Sequence, residues 1–166
     1  MASPAPLTLA IHTVGLDRRQ AMVEDVTRGL RVRPRRLPSQ YFYDERGSEL
    51  FEQITELPEY YLTRAERAAL DAHGREIVAA TRPESMVELG AGSCSKTRVL
   101  LSAGRSLECL RSFVAFDISE AAVSSSAREL VRDYPGLTVY GLVGEFGAHL
   151  DRIPRMGRQL VLFLGS

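Results

Sequence analysis

Val87-Glu88-Leu89-Gly90-Ala91-Gly92-Ser93-Cys94-Ser95-Lys96-Thr97 is the stretch on which the reading of this chain turns. Residues of strand character run into two glycines, and a helix is expected to begin near Ser95. Glycine at 90 and 92 lets the backbone bend sharply and lets a ligand approach with no Cβ in the way. A helix starting just beyond presents unpaired amides and the positive end of its dipole to whatever sits at the turn. Gly-x-Gly alone is also an ordinary strand-to-helix turn, so the surrounding sequence has to supply its meaning.

Downstream the chain alternates between strand and helix. Met86–Leu89 reads as a first strand, Ser95–Ala103 as a helix, Ser112–Phe116 as a second strand and Glu120–Arg132 as its crossover helix. Leu137–Val143 and Leu160–Leu164 follow as third and fourth strands. This is the pattern of an α/β fold with a parallel sheet covered by helices. The expected division is a tail over 1–16, a helical region over 17–83 and a sheet domain over 84–166.

Upstream, Met22, Val26 and Leu30 recur four apart and predict an amphipathic helix from Asp17 to Leu30. The arginines from Arg28 to Arg36, interrupted by Pro34, read as a solvated connector. Gly47-Ser48 is placed to cap a short helix carrying Leu50, Phe51 and Ile54 on one side. Thr63 and Glu66 have the spacing of a capping box opening a long helix to about Ala80.

Composition narrows the function. The 21 basic and 21 acidic side chains cancel, so no net field draws the protein to nucleic acid. No apolar run approaches the roughly 20 residues that cross a bilayer, which points to a cytoplasmic protein. Cys94 and Cys109 make no disulfide framework, and His12, His73 and His149 are too scattered for a metal site.

Asp117, at the end of the second strand, stands where a doubly wound fold places an acceptor for ribose hydroxyls. Its alternative is to cap the following helix, a task Ser119 can also perform. Three ligands suit such a frame. A dinucleotide fold wants a third glycine where Ser95 stands. A phosphate loop, Gly-x4-Gly-Lys-Thr, matches Gly90 to Thr97 except at that same residue, and would make the chain a nucleotide-binding hydrolase with a degenerate loop. Glu88, inside the first strand, would lie close to the triphosphate charge and suits a cationic ligand better. In methyltransferases an acid here commonly faces the positive end of S-adenosylmethionine. Lys96, the single lysine of the sequence, adds a slim cation beside the turn.

In order, Tyr41-Phe42-Tyr43-Asp44, Gly47-Ser48-Glu49-Leu50-Phe51, Leu57-Pro58-Glu59-Tyr60-Tyr61-x-Thr63-Arg64 and Glu88-Leu89-Gly90-x-Gly92-Ser93-x-x-Lys96-Thr97-Arg98 closely resemble the histidine-specific methyltransferases of ergothioneine biosynthesis. Val161-Leu162-Phe163-Leu164-Gly165-Ser166 is similar to that family's fourth strand. The resemblance runs from about Asp17 to the end and implies a Rossmann-like class I fold that binds S-adenosylmethionine. It implies cofactor contacts from Tyr43, Glu88, Gly90, Gly92, Lys96, Asp117 and the pair Glu145-Phe146, the last two gripping adenine. Glu145 departs from the aspartate of the family pattern. Tyr60 is implied in contact with the histidine substrate.

The implied reaction is trimethylation of the α-amine of L-histidine, or of a related small amine, to give hercynine in the case of histidine. It proceeds by in-line displacement, with catalysis residing in orientation and exclusion of water, and no residue is identified as base. The family continues past Gly-Ser with further strands and a substrate lobe. The expectation is therefore an incomplete sheet of four strands, inactive alone unless a companion chain supplies the missing half. The remaining alternative is a non-catalytic module that binds cofactor or a protein partner.

Overall fold

Side chains alternating between two faces over 85–89, 112–117 and 138–143 build a sheet buried on both sides. The computed structural model describes residues 9–14 and 18–165. Strands β1 (Leu9–Thr13), β2 (Ser85–Leu89), β3 (Ser112–Asp117), β4 (Thr138–Val143) and β5 (Gln159–Leu162) pair in the order β1-β4-β3-β2-β5, and every pairing is parallel. Helices α1 (Arg18–Arg31), α2 (Glu45–Thr55), α3 (Leu62–Thr81), α4 (Arg98–Ser106), α5 (Glu120–Asp133) and α6 (Phe146–His149), with short 3-10 turns at Ser39–Phe42 and Leu150–Arg152, complete the described elements.

The main core gathers Met86, Phe113, Ala115, Val139 and Leu162 of the sheet with Leu70 and Val78 of α3, Leu100 and Leu101 of α4, and Ala127 and Leu130 of α5. The opposite face, with Val87, Val114, Phe116 and Leu142, is packed by Val14, Ile153 and Met156, which belong to connecting segments and not to helices. From β2 the chain runs outward through β3 to β4 and then returns to the other side of β2 as β5, so the strand order reverses between β2 and β5. The crevice outside the carboxyl ends of the strands there is where a doubly wound sheet binds its ligand.

Several expectations are corrected. Leu9–Thr13, read within an unpatterned tail, forms a fifth strand, with Leu9 opposite Val139 and Thr13 opposite Val143. Residues 1–8 and 15–17 of that reading, like the proposed helix start at Asp17 and the terminal Ser166, lie outside the described residues. Strand β1 is held by its neighbours: a Cβ on Gly141 would fall 2.6 Å from Val123 Cγ1 of α5 and 3.3 Å from Ile11 Cγ1 of β1. Glycine there lets strand and helix close over β4.

Helix α4 begins at Arg98 and not near Ser95, because Gly92 and Cys94 both take positive φ (49° and 54°) and prolong the turn. The cap of α2 is Asp44, whose side chain accepts from the Gly47 amide at 2.7 Å, and not Gly47-Ser48. Thr63 does not stand in the cap position that a Thr63–Glu66 capping box requires. Helix α3 starts at Leu62, with Tyr61 in the cap position, and the Glu66 carboxylate turns instead to Lys96 and Gly165. Helix α1 forms as the periodicity predicts, yet Met22 and Leu30 of its apolar face stay exposed.

Candidate functional site

The crevice is built from the glycine turn outward. Gly90 and Gly92 adopt φ of 74° and 49°, the left-handed region that a Cβ disfavours. The Gly90 and Ala91 amides donate to the Phe116 carbonyl at 2.8 and 3.0 Å, which lashes the turn to the end of β3. The Gly92 amide donates to Asp117 Oδ2 at 2.9 Å, and the Cys94 amide to the Ala91 carbonyl at 2.8 Å. The first amides of the turn, those of Gly90, Ala91 and Gly92, are thus spent on holding it to the end of β3.

Asp117 is resolved in the same way. Its Oδ1 accepts from the Ser119 amide at 2.9 Å, while the cap of α5 is Ser119, whose hydroxyl accepts from Ala122. Asp117 is thus no helix cap. Each carboxylate oxygen has two acceptor sites and receives one backbone N–H, so each retains capacity for a hydroxyl on a ligand.

Glu88 is the least ordinary group. It is 3% exposed and lies under the turn among the residues lining the crevice. Burial pushes its pKa up from 4.5 to about 7, opposed by the Thr97 hydroxyl, the Cys94 thiol and the Lys96 ammonium, with Asp117 adding a further upward push. The hydroxyl and the carboxyl are close, yet Glu88 Oε2 and Thr97 Oγ1 have no partner at hydrogen-bonding geometry among the described residues. A buried carboxyl oxygen left in this state is costly unless a cation or donor meets it. The neighbouring Cys94 thiol is pushed well up by burial and by Glu88, and so is no thiolate nucleophile.

The remaining wall is aromatic. Phe146 stacks on Phe116 with centroids 5.5 Å apart and meets the edge of Phe163 at 5.8 Å. The turn carrying Glu145 and Phe146 is held by His149, whose Nδ1 accepts from the Glu145 amide at 3.0 Å. On the helical side Tyr43 meets Phe51 edge to face at 6.2 Å, and Phe51 meets Tyr60 at the same distance. Tyr43 and Phe51 line the cleft, whereas Tyr60 stands one ring behind it.

Together these walls enclose about 1680 Å³. A single small-molecule site typically has roughly 300–1,000 Å³, so there is room for a nucleoside and a second ligand together. The structure brings Tyr43, Glu88, Gly90, Gly92, Lys96, Asp117, Glu145 and Phe146 around this one cleft. Phe163 also lines the cleft, while Glu66, Phe116 and His149 support its walls from behind. Nothing local in the sequence marks these roles: Glu66 reads as a cap and Phe163 as a strand residue.

The residues fit S-adenosylmethionine: a buried acid for a sulfonium, an acceptor pair for ribose hydroxyls and a stacked ring for adenine. The comparisons agree. The family described as histidine-specific, SAM-dependent methyltransferase matches residues 22–166. Histidine N-alpha-methyltransferase of Mycolicibacterium smegmatis is 44% identical over 160 residues, which cover 96% of this chain and 50% of that protein. Its namesake from Mycobacterium tuberculosis is 48% identical over 146 residues, 88% of this chain and 46% of the relative. Ergothioneine biosynthesis protein 1 of Schizosaccharomyces pombe is 34% identical over 141 residues, 78% of this chain and 18% of the relative. The chain spans about half the length of the mycobacterial relatives it matches. A matching family over most of its length, on a parallel sheet with an acceptor-lined crevice at the switch point, makes this chain a member of the histidine-specific, SAM-dependent methyltransferases.

Proposed function

We propose that this chain forms the S-adenosylmethionine-binding half of a cytoplasmic enzyme that methylates the α-amine of L-histidine to the trimethylated product in ergothioneine biosynthesis. The observation that carries the reading is Glu88: a buried carboxyl with an unpartnered oxygen beside the glycine turn that lines the crevice. Such a site favours a positive group over a phosphate.

S-adenosylmethionine supplies a methyl carbon activated by the sulfonium. The protein's part is to hold and to shield. Glu88, ionised when a cation faces it, balances the positive charge. Asp117 accepts the ribose hydroxyls while keeping the Gly92 amide in place. Phe146, backed by Phe116, offers its ring to adenine, and Glu145 accepts from the adenine edge. Tyr43 closes the cofactor wall, and Tyr60, which stands behind Phe51, is assigned to the amino acid from the family resemblance. The work of such a site is orientation of a neutral amine in line with the methyl, with water excluded. The relatives are about twice as long as the matched region, and we assign the remaining substrate contacts to that other half, on the same polypeptide or on a companion chain.

Calorimetric titration with S-adenosylhomocysteine, beside an Asp117→Ala variant, tests the reading. Binding by the wild-type chain that is lost in the variant is expected, with tighter binding of histidine once the nucleoside is present. A folded wild-type chain that ignores S-adenosylhomocysteine but binds magnesium and ATP would overturn it.

A further inference from the structure

Strand β5 stops pairing at Leu162, opposite Glu88, yet the next residues still form a wall of the cleft: Phe163 and Leu164 line it, and Phe163 sets its ring against Phe146. The sheet does not position this segment, so another contact must. Glu66, in the first turns of α3, provides one. Its Oε1 accepts from the Gly165 amide at 2.8 Å, and its Oε2 accepts from Lys96 Nζ. Lys96 Nζ in turn donates to the Gly165 carbonyl. Glu66, Lys96 and Gly165 therefore close a triangle in which each member bonds the other two.

The three corners come from three different parts of the site: the helical region, the glycine turn and the segment after β5. Arg67, next to Glu66, adds a parallel tie by donating to the Ser95 carbonyl at 3.0 Å. The charge pair is largely withdrawn from water, with side-chain exposures of 12% for Lys96 and 25% for Glu66. Removing either partner takes a charge-assisted bond from a group that is partly buried.

We propose that Glu66 is a positioning residue: it holds the glycine turn, through Lys96, and the post-β5 wall, through Gly165, at one separation, and so sets the width of the ligand cleft. This deepens the proposed function, and its ligand-binding arm rests on that reading. The structural arm does not.

The test uses the whole 166-residue chain in wild-type, Glu66→Ala, Glu66→Gln, Lys96→Met and Glu66→Ala/Lys96→Met forms. In ¹H–¹⁵N spectra the Gly165 amide proton, bonded to a carboxylate, is expected downfield and should move upfield in Glu66→Ala. Glu66→Gln, whose amide oxygen still accepts, should bring it back toward the wild-type position. Affinity for S-adenosylhomocysteine should fall about tenfold in Glu66→Ala and in Lys96→Met, the order expected for losing a charge-assisted bond. The double variant should be no worse than the singles, since both break one unit. A Gly165 signal indifferent to Glu66→Ala, or fully multiplicative affinity losses in the double variant, would overturn the inference. If the wild-type chain shows the downfield amide but binds no S-adenosylhomocysteine, the proposed function fails and the Gly165 signal alone decides the role of Glu66.

Discussion

Replacing Glu88 by glutamine should stabilise the unliganded chain at alkaline pH while leaving it nearly unchanged in acid. The carboxyl is buried, and its pKa is raised from 4.5 to about 7, chiefly by loss of water. The folded state therefore binds this proton more tightly than the unfolded chain does. Stability drawn from that proton is fully present below the unfolded value and is lost as pH rises through the folded one. At 1.36 kcal/mol for each pKa unit, the loss amounts to about 3 kcal/mol when complete. Glutamine is nearly isosteric and never ionises, so the variant escapes this loss.

Urea denaturation of both proteins at about pH 5 and about pH 8 reads the difference directly. The Glu88→Gln advantage should grow by about 2.5 kcal/mol between the two conditions, since part of the loss is already complete at pH 5. It should reverse in ligand binding, because an amide cannot balance a sulfonium: preference for S-adenosylmethionine over S-adenosylhomocysteine, whose sulfur is neutral, should shrink. A stability difference that stays constant across this pH range would refute the claim that Glu88 titrates under burial. An unchanged preference between the two nucleosides would refute its role toward the sulfonium.

Two further perturbations probe the frame. Gly141→Ala places a methyl 2.6 Å from Val123 Cγ1, so α5 and β1 must move apart; a loss of about 1–3 kcal/mol in chemical denaturation is expected, and a neutral result would mean that β1 is not packed as described. Phe146→Ala removes a half-exposed ring that stacks on Phe116; unfolding should change little, while S-adenosylhomocysteine affinity falls by about 1–3 kcal/mol, the scale of base–aromatic stacking, and Phe146→Tyr should restore it.

What the sequence determined by itself is whatever is encoded within a few residues of chain. The strand and glycine turn of Val87–Thr97, the acceptor at Asp117 and the alternation of β2, α4, β3, α5, β4 and β5 all lie in local periodicity, glycine placement and motif spacing, and so does the family resemblance, whereas the start of α4 and the short α6 do not. What only the tertiary structure decided depends on groups brought together from distant parts of the chain. Leu9–Thr13 carries no period, and becomes a strand because the open edge of β4 supplies its hydrogen bonds from residues Val139–Val143. Glu66 reads as a cap beside Thr63, since only the folded chain brings Lys96 and Gly165 to its carboxylate. The amides of Gly90, Ala91 and Gly92 look available for an anion until Phe116 and Asp117, across the β2–β3 crossover, are seen to accept them. Glu88 is legible as an acid at the turn, but its unpartnered oxygen and raised pKa follow from burial, which is a property of the packed molecule and not of the residue.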